Sequence, residues 1–268
     1  VVDAMADFVG TLEENLDAWA SRSILSEQPG KIQLSIGSVV THEIWLDVTS
    51  NKFVAAPEKL FSPTSELVIV MSGLGSDPEI VETLLALPFP VTLAIEPSAV
   101  HARQLAEEAW KAGYEILLHQ PMQSSQWPYV KAGPNEITTK MSDEMVAGIL
   151  NDALEKVPHA SGLANHMGSG LCGNRAASAQ VTAQTATAGL YLLDTMARHD
   201  SFLYLEATRQ GLPAWKQDFS LDDGHPSKHV VLASLKKAEK LAIRQGRAIV
   251  GGRPYPETLE ALRDWATT

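Results

Sequence analysis

Short, nearly unbroken apolar runs alternate along most of this chain with longer segments in which apolar residues return every three or four positions. The first pattern reads as buried strand, the second as amphipathic helix. Strands are predicted at residues 67–71 (LVIVM), 91–96 (VTLAIE), 114–119 (YEILLH), 161–166 (SGLANH), 190–194 (LYLLD) and 247–252 (RAIVGG), with another inside 212–222. Helices are predicted between them at 77–87, 98–113, 142–157, 174–189 and 227–245, with a closing one at 256–266. Pro78 suits a first helical turn and Gly113 a helix end. About seven strand–helix units with short connections imply a parallel sheet with right-handed crossovers. Periodicity leaves open whether that sheet closes into a barrel.

The first 60 residues break this rhythm. Met5, Phe8, Val9, Leu12, Leu16 and Trp19 recur at helical spacing over 3–20. Two alternating segments follow over 31–49, with a turn near Gly37 that suits a hairpin. A Pro- and Ser-containing link over 57–65 then leads into the first strand–helix unit. Residues 1–60 therefore read as an N-terminal α+β appendage and 61–268 as the main domain.

Apolar residues make up 45% of the 268, enough for a large core. The net charge of −11 argues against nucleic acid or an anionic membrane surface as partner. Cys172 is the one cysteine, which excludes an internal disulfide and a cysteine-based zinc site. No apolar run approaches the roughly 18 residues of a membrane span. The chain begins with Val1, so a signal or anchor is expected to lie outside this sequence, and its absence does not indicate a cytoplasmic protein.

Chemistry in parallel α/β folds gathers where strands end. Ser72-Gly73-Leu74-Gly75 follows the first strand. Its Gly-x-Gly, with Glu96 at the spacing of a ribose contact, invites a dinucleotide-loop reading. Pro78 occupies the third glycine position and removes an amide donor there, so no nucleotide is expected. The other strand ends carry His119, Asn165-His166, Asp194, Asp218, Asp222 and Arg253. Two histidines and an aspartate on one face could hold a divalent cation, although a histidine at a strand end is more often a structural hydrogen-bonding residue. The remaining histidines read as surface or packing residues.

Taken together, the turns resemble the divergent polysaccharide deacetylase family, a distant branch of the NodB-type carbohydrate esterases. The resemblance runs from about 65 to 265 through LVIVMSGLG, HQPM, GLANHMGSG, LYLLDT and GGRPYPET, in family order. It implies a distorted (β/α)7 barrel, metal-dependent hydrolysis of an N- or O-acetyl group on a glycan, and a bacterial periplasmic or envelope location. It also implies catalytic roles for His119, His166 and Asp194, metal binding by His119 and His166, and substrate binding by Asn165 and Glu257; Ser72 and Arg253, in turns of the same face, are further substrate-binding candidates.

Two turns depart from the family pattern. Ser72-Gly73 stands where the family has Asp-Asp, one a metal ligand and the other the general base. Arg253 replaces the histidine expected as general acid. An arginine stays cationic at neutral pH and suits a carboxylate or phosphate rather than proton donation. Two imidazoles alone seldom hold zinc firmly, because catalytic sites normally supply three protein ligands. The resulting expectation is no metal or weakly held Zn²⁺, impaired catalysis, and a role in binding a glycan or an envelope protein. The alternative is an active deacetylase whose missing carboxylate comes from Asp194, Asp218 or Asp222.

Overall fold

In the computed structural model the chain divides into two compact units, residues 1–64 and 65–268. Residues 65–224 and 227–266 are described, together with the backbone of three strands in the first unit. Those strands, β1 (Ser23–Gln28), β2 (Lys31–Ile36) and β3 (Val39–Trp45), form an antiparallel meander with an irregularity between Leu34 and Ser35. The predicted hairpin is thus β2–β3, and β1 adds a strand to it. The helix expected over 3–20 and nearly all of the link over 57–65 lie outside the described residues.

The second unit follows the strand–helix order read from the sequence. It runs β4 (Glu66–Leu74), α1 (Pro78–Leu85), β5 (Thr92–Ile95), α2 (Ala102–Lys111), β6 (Ile116–Met122) and α3 (Asp143–Lys156). It continues with β7 (Gly162–Met167), α4 (Arg175–Thr187), β8 (Tyr191–Asp194), α5 (Leu203–Arg209), β9 (Ala214–Lys216) and β10 (Phe219–Ser220). α6 (Lys228–Gln245), β11 (Arg247–Gly252) and α7 (Pro256–Trp265) complete it. The seven-residue α5 has no counterpart among the predicted helices. Caps fix several helix starts: Asp77, Ser142, Asn174 and Ser227 each accept a backbone N–H from the first turn through the side chain.

All ladders of the second sheet are parallel, in the order β10-β11-β4-β5-β6-β7-β8-β9. Its two edge strands are halves of one segment. Gln217 N–H donates to the Asp194 carbonyl on one side, and Asp218 N–H donates to the Ile249 carbonyl on the other. The Asp218 carboxylate also accepts the Ile249 N–H at 2.8 Å. Residues 214–220 therefore act as one bent stave that joins β8 to β11, and the sheet closes as a distorted seven-stave (β/α) barrel.

Strand alternation sorts the core into two layers. Ile69, Met71, Leu93, Ile95, Ile116, Leu118, Leu163, Leu192 and Val250 face outward and pack against the helices with Leu84, Leu105, Leu150, Val181 and Leu235. Their neighbours Val70, Ala94, Leu117, Ala164, Leu193 and Ile249 face inward and fill the barrel with a separate apolar cluster. Each such side chain taken out of water contributes about 1.5–3 kcal/mol for the larger aliphatics.

β4 is irregular near its end. Its pairing with β5 shifts register between Met71 and Leu74, which places a bulge at Ser72-Gly73. Gly73 has φ +72° and Gly75 φ +117°, both in the left-handed region that favours glycine. A Cβ on Gly75 would also overlap that of Ala99, in the turn after β5. Gly75→Ala is expected to destabilise the protein by about 2 kcal/mol or more, from backbone strain and the forced shift of that turn. Urea unfolding measures this, and a loss below about 0.5 kcal/mol would mean that the turn yields freely.

Candidate metal centre at the barrel mouth

One pleat beyond the apolar plug, toward the strand C-termini, every stave contributes an inward position: Ser72, Glu96, His119, His166, Thr195, Gln217 and Gly251. All seven line one cavity of about 490 Å³, joined at its edge by Asp222, Asp223 and Arg253. The phase follows from the layer below, since Ala94, Leu117 and Ala164 sit two residues before Glu96, His119 and His166.

Glu96, His119 and His166 converge. Glu96 Oε1 lies 3.8 Å from His119 Nδ1 and 3.6 Å from His166 Nδ1. The two rings meet edge to face with centroids 4.8 Å apart. One ligand-type atom from each residue falls within 4.8 Å of the other two. Three ligands about 2.0–2.2 Å from a tetrahedral ion are about 3.3–3.6 Å apart, so small side-chain adjustments accommodate a divalent cation.

His119 shows the fit most clearly. Its ring is buried, and Nδ1 has no hydrogen-bond partner among the described residues. Burial, followed by the nearby His166 and Arg253, holds its pKa down at about 3, against the opposing pull of a hydrogen bond with the Asn165 backbone. At 3.8 Å the Glu96 carboxylate is beyond hydrogen-bond reach, and the imidazole stays neutral. A neutral buried imidazole with a bare Nδ1 aimed at a carboxylate and a second imidazole has the chemistry of a metal ligand.

To the two imidazoles expected from the sequence Glu96 adds a third ligand-type atom, from the strand next to the altered turn. Of the carboxylates proposed as substitutes, Asp218 is bound to the Ile249 backbone in the barrel seam. Asp194 is fully buried and accepts from Met196 N–H and Tyr204 N–H. Asp222 lines the cavity but stands outside the three-residue cluster.

The other residues singled out in the sequence separate by phase. Asn165 is one residue out of step with His166 and still lines the cavity. Its amide donates to the Met167 carbonyl at 2.8 Å and accepts Thr195 N–H at 2.8 Å, so it braces the turn. Ser72 lines the cavity and donates to the Gly252 carbonyl at 3.3 Å. Arg253 lines it as well, whereas Glu257 is exposed in the first turn of α7, outside the lining. Gly168, at φ +95°, lies close to Met122 and Cys172, so the turn beyond His166 packs against β6.

The fold and site together are a β/α barrel with two imidazoles and a carboxylate, a set of residues that could hold a divalent cation, facing one another beside the cavity at its C-terminal mouth. Residues 69–268 match the divergent polysaccharide deacetylase family, and the chain belongs to that family. It is 31% identical over 212 residues, 78% of its length, to the uncharacterized protein YibQ of Escherichia coli (strain K12), of whose length it spans 65%. An uncharacterized protein of Haemophilus influenzae is 30% identical over 199 residues, 74% of this chain and 70% of that one. The crystal structure of uncharacterized protein ATU2773 from Agrobacterium tumefaciens C58 superposes with a TM-score of 0.70 at 25% identity, covering 75% of this chain and 82% of the other.

Protein purified without chelator is expected to take up one equivalent of Zn²⁺, read by elemental analysis and by competition with a chromophoric chelator. Glu96→Gln and His119→Ala should each weaken binding by at least about 100-fold, since each removes one of three ligands. Retention of tight zinc in both variants would place the ion elsewhere.

Proposed function

We propose that this protein is a metal-dependent hydrolase that removes an acetyl group from an envelope glycan, with Glu96 taking over the ligand duty lost at residues 72–73. The carrying observation is the convergence of Glu96 on His119 and His166, which supplies the three ligands such a site needs. Family membership supports the substrate class. When bound, a divalent cation supplies Lewis acidity toward an acyl carbonyl and toward water. His119 stays neutral through its burial and keeps Nδ1 available. The apolar layer of Leu117, Ala164 and Leu193 closes the floor and keeps bulk water from entering beneath the imidazoles.

A general base is also needed, and the turn at 72–73 holds none. Asp222 supports this role. It is 5% exposed, lines the cavity, and reaches it from beside β11, the strand that flanks β4 opposite β5. Its Oδ2 accepts the Arg253 N–H at 2.6 Å and the Thr258 hydroxyl at 3.0 Å. Desolvation outweighs these bonds and raises its pKa above the ordinary carboxylate value, toward that of an effective base. On this reading the two carboxylate functions are divided between Glu96, at the end of β5, and Asp222, in the turn after β10: Glu96 binds, and Asp222 accepts the proton of the attacking water.

A second reading, a protein that binds glycan without hydrolysing it, is favoured by two observations. Asp222 Oδ2 already accepts two hydrogen bonds, and Ser72-Gly73 offers no carboxylate.

Acetate release from acetylated chitooligosaccharides and peptidoglycan fragments by the zinc-loaded protein decides between them. Under the hydrolase reading, Asp222→Asn lowers kcat by about 10²–10⁴-fold while zinc content stays at one equivalent. A base must be deprotonated to work, so activity should fall as pH falls through the raised Asp222 pKa, at higher pH than for an ordinary carboxylate. Stoichiometric zinc with bound glycan and no acetate release would favour the second reading.

A further inference from the structure

Arg175, Arg198, Arg209 and Arg247 each hold a carboxylate within 4 Å. Among the described residues Arg103, Arg244, Arg253 and Arg263 form no ion pair, and of these Arg253 is the one that lines the cavity. It is nevertheless held in place. Its backbone N–H is fixed by Asp222 Oδ2 at 2.6 Å, and its Nη1 donates to the Tyr255 hydroxyl at 3.2 Å. No other hydrogen bond of the guanidinium forms among the described residues, which leaves Nε and Nη2 for a ligand. The group is close enough to the metal cluster for its charge to act on the His119 imidazole.

The surrounding charges limit what that fork can receive. Glu96, Asp222 and Asp223 line the same cavity, and the chain carries −11 overall. A polyanion is repelled by this wall, and although the charges of Asp222 and Asp223 act on Arg253, a neutral sugar leaves its Nε and Nη2 donors without an anionic acceptor. A sugar with a single anionic substituent suits it, with that group on the guanidinium fork and its acyl group toward Glu96, His119 and His166. Guanidinium donors match carboxylate and phosphate oxygens in bidentate geometry.

We propose that Arg253 reads one anionic substituent, carboxylate or phosphate, on the sugar entering this mouth, so that the substrate class is an acidic, acetylated glycan. This rests on the reading that the mouth receives a glycan, and it adds a specificity-determining residue to it.

Binding is measured by NMR titration of the full chain with three sugars of similar size: N-acetylglucosamine, N-acetylmuramic acid with its carboxylate, and a phosphorylated N-acetylglucosamine. At least one acidic sugar is expected to bind at least about tenfold more tightly than the neutral one, the scale of one charge-assisted contact. The tighter of the two identifies the anion. Arg253→Gln should abolish the preference, and Arg253→Lys should restore part of it. Equal binding of all three sugars, absence of binding by both acidic sugars, or a preference that survives Arg253→Gln overturns the proposal. The titration reads affinity alone, so an Arg253-dependent preference with no acetate release anywhere upholds this inference and removes the hydrolase reading. Acetate release with no charge preference does the reverse.

Discussion

The alternation of side chains along parallel strands is the constraint on which the rest of this structure depends. Once Val70, Ala94, Leu117, Ala164, Leu193 and Ile249 fill the barrel, the residues two positions later must face inward above them. That places Ser72, Glu96, His119, His166 and Thr195 around one opening whatever their own preferences. The hydrophobic layer thus sets the position of the polar one, and it also provides the dry floor that keeps the His119 imidazole uncharged.

The same alternation explains what was legible in the sequence. Apolar run lengths and helical spacing gave the order of the barrel elements, because strands buried on both faces read as continuous apolar segments. His119 and His166 were visible as polar residues ending such runs. Asp194 and Asn165 end or nearly end such runs too, but in the opposite phase. Asp194 follows inward Leu193 and turns to the N-terminal end of α5, and Asn165 follows inward Ala164 and braces the neighbouring turn.

Glu96 was the residue missed. Its signal was present, since Ala94–Glu96 repeats the inward spacing of Leu117–His119 and Ala164–His166. Reading it required knowing that β5 and β6 are neighbours in a register that puts those positions at one height. Leu93 pairs with Ile116 and Ile95 with Leu118, and that pairing lies between strands and not within one. Barrel closure was legible through the family resemblance and not through periodicity, because a single seven-residue segment does the work of two edge strands. The lost aspartates at 72–73 were easy to see, and Asp222 was already among the carboxylates considered in their place; that Glu96 stands beside the two imidazoles became apparent only with the sheet order.

The seam at residues 214–220 gives the barrel unequal halves. β9 is three residues long and β10 two, whereas β6 has seven and β7 six. Short ladders open at lower free energy than long ones. The imidazoles therefore stand on the stiff side of the molecule, while Gln217, Ser220 and Asp222 belong to or adjoin the compliant side. Opening of that short seam would widen the vestibule and leave the ligand atoms on β6 and β7 at their spacing.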